Sequence, residues 1–280
     1  MSLIHHYTSI NTLSLILKHR SIRFNRLDRV DDLSESSSYG KYNLGAFLFV
    51  SCWTDSITES IPLWHMYTDE MRGVRISLES NWMHYRPLSP DPKYNFITQG
   101  TILSPIPFEK FFNDNFMILP NFIQREKILK EVQYVDDPSV YLKDVVDLRV
   151  DPDGNANMQL KEVNDFATYK QKVWSFQEEV RFVLFILPTI PIPPDGFSNK
   201  RYLRELPSYI MTSIIKGNGP NLKEFYIDID PNVLENIVVT LGPLCNEGDE
   251  VVVDSLLKKY TTNGVMKKSE LAGTIRKTGK

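Results

Sequence analysis

Cysteine is nearly missing from this chain: Cys52 and Cys245 are the only two in 280 residues. One bridge at most is no framework for a disulfide-stapled secreted domain, so a reducing, cytoplasmic setting is expected. Long apolar runs are missing too. Phe182 to Leu187 falls far short of the roughly 20 residues that cross a bilayer, no signal peptide is visible, and no membrane partner is expected. Charge of one sign is also lacking. A formal net charge of -3 exerts no overall pull on nucleic acid or on an acidic membrane surface. There is no glycine-rich phosphate loop of the Rossmann or P-loop kind and no Gly-x-Ser-x-Gly elbow. His5, His6, His19, His65 and His84 are scattered, with neither His-x-x-x-His nor Cys-x-x-Cys spacing, which disfavours a metal centre.

What remains is an ordinary globular composition, 42% hydrophobic, enough to bury a full core. No repeat or clear linker divides the chain. It reads as one domain over residues 1–280, with an insertion of helices and loops at about 86–165 that includes a polar turn at 151–155.

Leu3 to Thr8 reads as a strand, and Ser9 as the cap of a helix carrying Ile10, Leu13, Ile16 and Leu17. Ser21 to Phe24, Gly45 to Trp53, Gly73 to Glu79, Glu224 to Ile229, Asn236 to Leu241 and Ala272 to Ile275 read as further strands. Short helical patterns fall at Pro62 to Tyr67, Tyr202 to Ile215 and Val251 to Tyr260. Strands outnumber long helices without alternating regularly with them, which points to the α+β class.

The most informative stretch is Trp174 to Pro188. Read as extended, it lines up Ser175, Gln177, Glu179 and Arg181 on one face, and then becomes the apolar run of a strand buried on both sides. A carboxylate at such a strand end can sit in a cleft. The plainer account pairs Glu179 and Arg181 with other charges at a sheet edge. Likewise His6 on the first strand, Ser51 at a strand exit, and the aromatic pair Trp64 and Tyr67 each have a structural reading as backbone partner, strand end and core.

Taken together, His6-Tyr7-Thr8, Phe24-Asn25 with Asp31-Asp32 and Glu35, Ser51-Cys52-Trp53, Leu63 to Tyr67, Arg72-Gly73-Val74, Trp174 to Arg181 and Leu241-Gly242-Pro243 resemble the bacterial domain-of-unknown-function family 2971 over nearly the whole chain. That family in turn resembles the ADP-ribosyltransferases. The resemblance implies a split β-sandwich of two small mixed or antiparallel sheets with flanking helices, and NAD as substrate. It implies Glu179 and Gln177 as catalytic residues and His6, Tyr7, Thr8, Ser51, Trp64 and Tyr67 as NAD-binding ones. Gln177 stands where the family usually has Glu, and the middle element matches neither a Ser-Thr-Ser nor a tyrosine pattern cleanly.

Cleaving the nicotinamide–ribose bond needs negative charge near an oxocarbenium ion and a grip on the ribose, which these residue types supply. The expected activity is transfer of ADP-ribose to an unknown protein, nucleic acid or small-molecule acceptor, as in a toxin or defence effector. The alternatives are an NAD glycohydrolase and a non-catalytic nucleotide- or protein-binding module.

Overall fold

The computed structural model describes residues 2–89, 100–124, 128–150, 156–161 and 163–276; the polar turn expected at 151–155 lies outside them. The chain opens with strand β1 (Leu3–Thr8), helix α1 (Ile10–His19) and strand β2 (Ser21–Arg26). Ser9 caps α1 by accepting from the Thr12 amide, and Leu13, Ile16 and Leu17 bury the face that the apolar spacing requires. After the short helix α2 (Ser34–Ser37) come strand β3 (Leu48–Thr54), helix α3 (Ile61–Tyr67) and strand β4 (Val74–Glu79). Ser60 caps α3, and Pro62 sits in its first turn, where no amide hydrogen is needed.

These strands and the central strand Glu179–Pro188 belong to one ten-stranded mixed sheet, in an α+β arrangement with flanking helices. The main path runs Glu224–Asp228, β2, β3, β1, β4, Val238–Leu241, Val265–Lys268. Only the last pair is parallel, joined through the helix Glu247–Tyr260. Hydrogen bonding is continuous where two separate small sheets were expected, because β3 is shared. One edge of β3 is zipped to the central strand from Glu179↔Thr54 to Phe185↔Leu48. The other edge forks: β2 takes Phe49 and Val50, β1 reaches Thr54, and neither strand pairs with Ser51, Cys52 or Trp53.

The central strand is buried along its whole length, as its apolar run demands. On one face Phe49, Trp53, Val180, Phe182 and Leu184 share a core with α1 and the helix Glu247–Tyr260; on the other, Leu48, Val50, Val183 and Phe185 pack with Tyr39 and Phe166. Described residues of 86–165 are woven into both layers. Phe108, Phe111, Ile118 and Phe122 enter the first core and Leu142 and Val145 the second. Phe116–Ile118 and Leu129–Glu131 extend the sheet beyond the central strand.

Two expected strands differ. Lys172–Gln177 forms a 3-10 helix, closed by Glu178 in the left-handed region at φ 43°, so the central strand starts only at Glu179. Trp174 and Phe176 carry just one period of two, too few to distinguish a strand from a tight turn whose Glu178 amide bonds back to the Ser175 carbonyl. Ala272 to Ile275 forms turns, and the final strand is instead Val265–Lys268.

Candidate functional site

The loop before α2, helix α3, the strand Tyr169–Gln171, the 3-10 helix and the central strand meet at one corner of the sheet, below the fork. Arg181, fully buried, is its hub. Its guanidinium grips Glu179 through Nε and through Nη2 (2.9 Å), and Glu35 of α2 through Nη1 and through Nη2 (2.9 Å). Its Nη1 also donates to the Ala167 carbonyl at 3.1 Å. Lys170 adds the second cation, 3.2 Å from Glu35 and 3.5 Å from Glu179. Two carboxylates and two cations therefore neutralise one another out of water.

From Lys170 a chain of hydrogen bonds leads outward. The ammonium donates to Gln177 Oε1 at 2.7 Å, Gln177 Nε2 donates to the Tyr67 hydroxyl at 2.8 Å, and Tyr67 donates to Asp31. The polarity follows from the groups: an ammonium only donates, which turns the amide oxygen toward it and leaves Tyr67 to receive an N–H and pass its own hydrogen on. Lys170 Nζ also lies 4.7 Å over the Trp174 ring. Tyr134 accepts the Glu179 amide at 2.9 Å, and Thr54 donates to the Glu178 carbonyl at 2.8 Å, so the turn entering the strand is held on both sides.

Burial alone would raise the Glu179 pKa, but Arg181 and Lys170 together outweigh it and hold the carboxyl below its ordinary value. Burial, and then the Asp31 carboxylate, lift Tyr67 far above an ordinary phenol. Burial and then Glu179 push the Cys52 thiol well up, which leaves it protonated and a poor nucleophile.

Three of the residues expected from the sequence, Tyr67, Gln177 and Glu179, are thus joined. The others lie elsewhere. Residues directly opposite in an antiparallel ladder share a face, so Glu179, Thr54 and His5 lie on one side of the sheet and His6 lies on the other. His6 packs against Trp53 and donates from Nδ1 to the Cys52 carbonyl at 2.9 Å, filling the fork where no strand pairs. Burial lowers its pKa. Ser51, also on that side, accepts from Trp53 Nε1 at 2.9 Å, and Thr8 is buried beside Val74. Tyr7 and Trp64 meet edge to face, 4.8 Å apart, in a satellite core, and the Trp64 indole donates to Glu59, which removes Trp64 from any stacking role.

Sequence reasoning passed over Lys170, Tyr134 and His5, and took Asp31 and Glu35 as members of a motif without a role. His5 is 5 % exposed and bonds Ser77 Oγ at 2.7 Å through Nδ1. Burial and then Arg75 lower its pKa to about 4. Among the described residues no three of His, Cys, Asp and Glu converge on a point that would hold a metal ion, and no helix is long and apolar enough to cross a membrane.

Compared with models of known families, with curated proteins and with solved structures, the chain matches none.

Proposed function

We propose that the corner from Asp31 through Tyr67 and Gln177 to Glu179 binds NAD and transfers its ADP-ribose to an acceptor, in a forked sheet serving as a split sandwich. One observation carries the reading: a tyrosine on α3 and the Gln-x-Glu pair, far apart in sequence, share one hydrogen-bonded chain that ends at an exposed carboxylate. The ordered resemblance of motifs to an ADP-ribosyltransferase-like family supports it.

In this reaction the ribose C1′–N bond breaks and its electron pair leaves with nicotinamide, which becomes neutral. The acceptor's lone pair then bonds C1′ and its proton departs to a base. Negative charge at the corner stabilises the oxocarbenium ion, and Tyr67, with its hydrogen bonds directed by Gln177 and Asp31, orients the nicotinamide ribose. Glu179 acts once substrate displaces part of its hold on Lys170, the longer of its two cation contacts at 3.5 Å.

A second reading is favoured by a specific observation. Glu179 is only 6 % exposed and already paired, as expected of the frame of a non-catalytic nucleotide-binding module.

Incubation with labelled NAD and cell lysate separates these readings. Transfer of label that falls at least about 10-fold in Tyr67→Phe supports the transferase. Free ADP-ribose as sole product makes the protein a glycohydrolase. Saturable NAD binding without turnover supports the module, and neither binding nor turnover overturns the NAD assignment.

A further inference from the structure

A second polar cluster lies on the Glu179 face, one strand further along. Tyr7 of β1 stands opposite Arg75 of β4, and His5 opposite Ser77, so His5, Tyr7, Arg75 and Ser77 point the same way. Two nitrogens in this cluster, His5 Nε2 and Arg75 Nε, are buried with no hydrogen-bond partner. Native proteins leave few such groups unpaired, because each forgoes its hydration without a replacement, so two neighbours on one face call for a physical account.

The electrostatics narrow it. Arg75 donates through Nη1 to the Ile57 carbonyl at 3.2 Å and lies beside the Tyr7 phenol, both neutral groups. Among the described residues it has no carboxylate partner. The Glu59 carboxylate, which acts on the Tyr7 phenol, already accepts from Trp64, Ser269 and the Glu270 amide. A half-buried guanidinium without a counter-ion is an anion site in waiting. The histidine beside it completes a pair of donors: when Ser77 donates its hydroxyl to Nδ1, the remaining hydrogen sits on Nε2. Diagonal neighbours across a strand pair lie about 7 Å apart, a gap that one tetrahedral oxyanion spans.

Access is also present. The irregular segment Asp55 to Ser60 covers the cluster, with Ile57 at its tip 84 % exposed. Polar contacts hold it: the Ser56 amide on Thr54 Oγ1, the Ser60 amide on the Tyr7 hydroxyl, and Arg75 on the Ile57 carbonyl. Exchanging the last of these for an anionic oxygen opens the cover without disturbing the core.

We infer that Arg75 and His5 form an oxyanion site for a phosphate group, free or esterified, beneath the segment 55–60. The site stands whether or not NAD is the substrate at the neighbouring corner. Titration calorimetry with orthophosphate, pyrophosphate and ADP tests it. Saturable binding at concentrations on the order of 1 mM is expected, weakened at least about 10-fold in Arg75→Gln and unchanged in Arg201→Gln, an exposed arginine paired elsewhere. Equal binding of pyrophosphate and ADP identifies a free anion as sufficient; tighter ADP identifies an ester. In the wild-type protein, pyrophosphate is also expected to shift the His5 Nε2–H resonance in nitrogen NMR as that hydrogen gains an acceptor, a readout independent of any variant's folding. Absence of saturable binding to the wild-type protein, as when a buried water alone bridges the two nitrogens, overturns the proposal. So does unchanged binding in Arg75→Gln.

Discussion

Replacing Glu179 by glutamine keeps its volume and removes one of four buried charges. Glu35 and Glu179 balance Lys170 and Arg181, every one of them at most 6 % exposed. After the change, two cations share one carboxylate. Arg181 loses the acceptor of its Nε and of one Nη2 bond, while the neutral amide offers a single oxygen in return. Breaking one side of a buried ion pair costs about 3–5 kcal/mol, which for a chain of this size lowers Tm by about 10 °C. Urea and thermal unfolding at pH 7 measure it.

The pH dependence has a definite sign. The folded Glu179 pKa lies below its ordinary value of 4.5, so its stabilisation is complete above pH 4.5 and fades as pH falls through the folded value. The gap between wild type and Glu179→Gln therefore narrows with acidification below 4.5. Removing Glu179 together with Arg181, as Glu179→Leu with Arg181→Met, restores neutrality and recovers most of the loss. A gap under about 1 kcal/mol at pH 7, or one unchanged at low pH, refutes the argument that this cluster is a charge-balanced unit.

Other expectations follow from single contacts. His5→Gln removes a group that is neutral when folded and protonates below pH 6.5 when unfolded; the wild type should lose about 3 kcal/mol between pH 6.5 and 4, and the variant much less of it, by urea unfolding across that range. Glu59→Ala frees the segment after Ser269 from α3, so hydrogen exchange at the Glu270 and Leu271 amides should accelerate at least about 10-fold while the central strand stays protected. Glu178 is exposed and left-handed at φ 43°, so Glu178→Val should cost about 1–2 kcal/mol in thermal unfolding and Glu178→Gly nothing measurable.

Much of the sheet was legible because burial imposes it. The alternation Val74, Ile76, Leu78 has the period of a half-buried strand. The apolar run Phe182 to Leu187 is short, rich in aromatic and β-branched residues and stopped by Pro188, which favours a buried strand over a helix. Ser9 before an apolar-periodic run marked α1 for the same reason. The corner was half legible. Tyr67, Gln177 and Glu179 stood out as a pattern, whereas Lys170 is one cation among 32 lysines and arginines, with no local feature that foretells its burial. The choice between His5 and His6 was out of reach of the sequence. Adjacent residues on a strand face opposite ways, and only the pairing of His5 with Thr54 decides which imidazole shares the face of Glu179.

That pairing also connects the two polar clusters. Thr54 lies between His5 and Glu179 across the ladder, its hydroxyl donating to the Glu178 carbonyl and accepting from the Ser56 amide. One side chain therefore touches both the turn that launches the central strand and the segment that covers Arg75. Movement of that segment on anion binding must either break the Ser56 contact or carry Thr54 with it. In the second case the Glu178 turn shifts and so does Glu179. Thr54→Val keeps the shape and removes both hydrogen bonds, so it separates the cases. If the clusters communicate through Thr54, pyrophosphate should slow exchange of the Glu179 amide in the wild-type protein and leave it unaltered in Thr54→Val. An equal response in both proteins means that the two clusters act independently, and that the fork only happens to place them side by side.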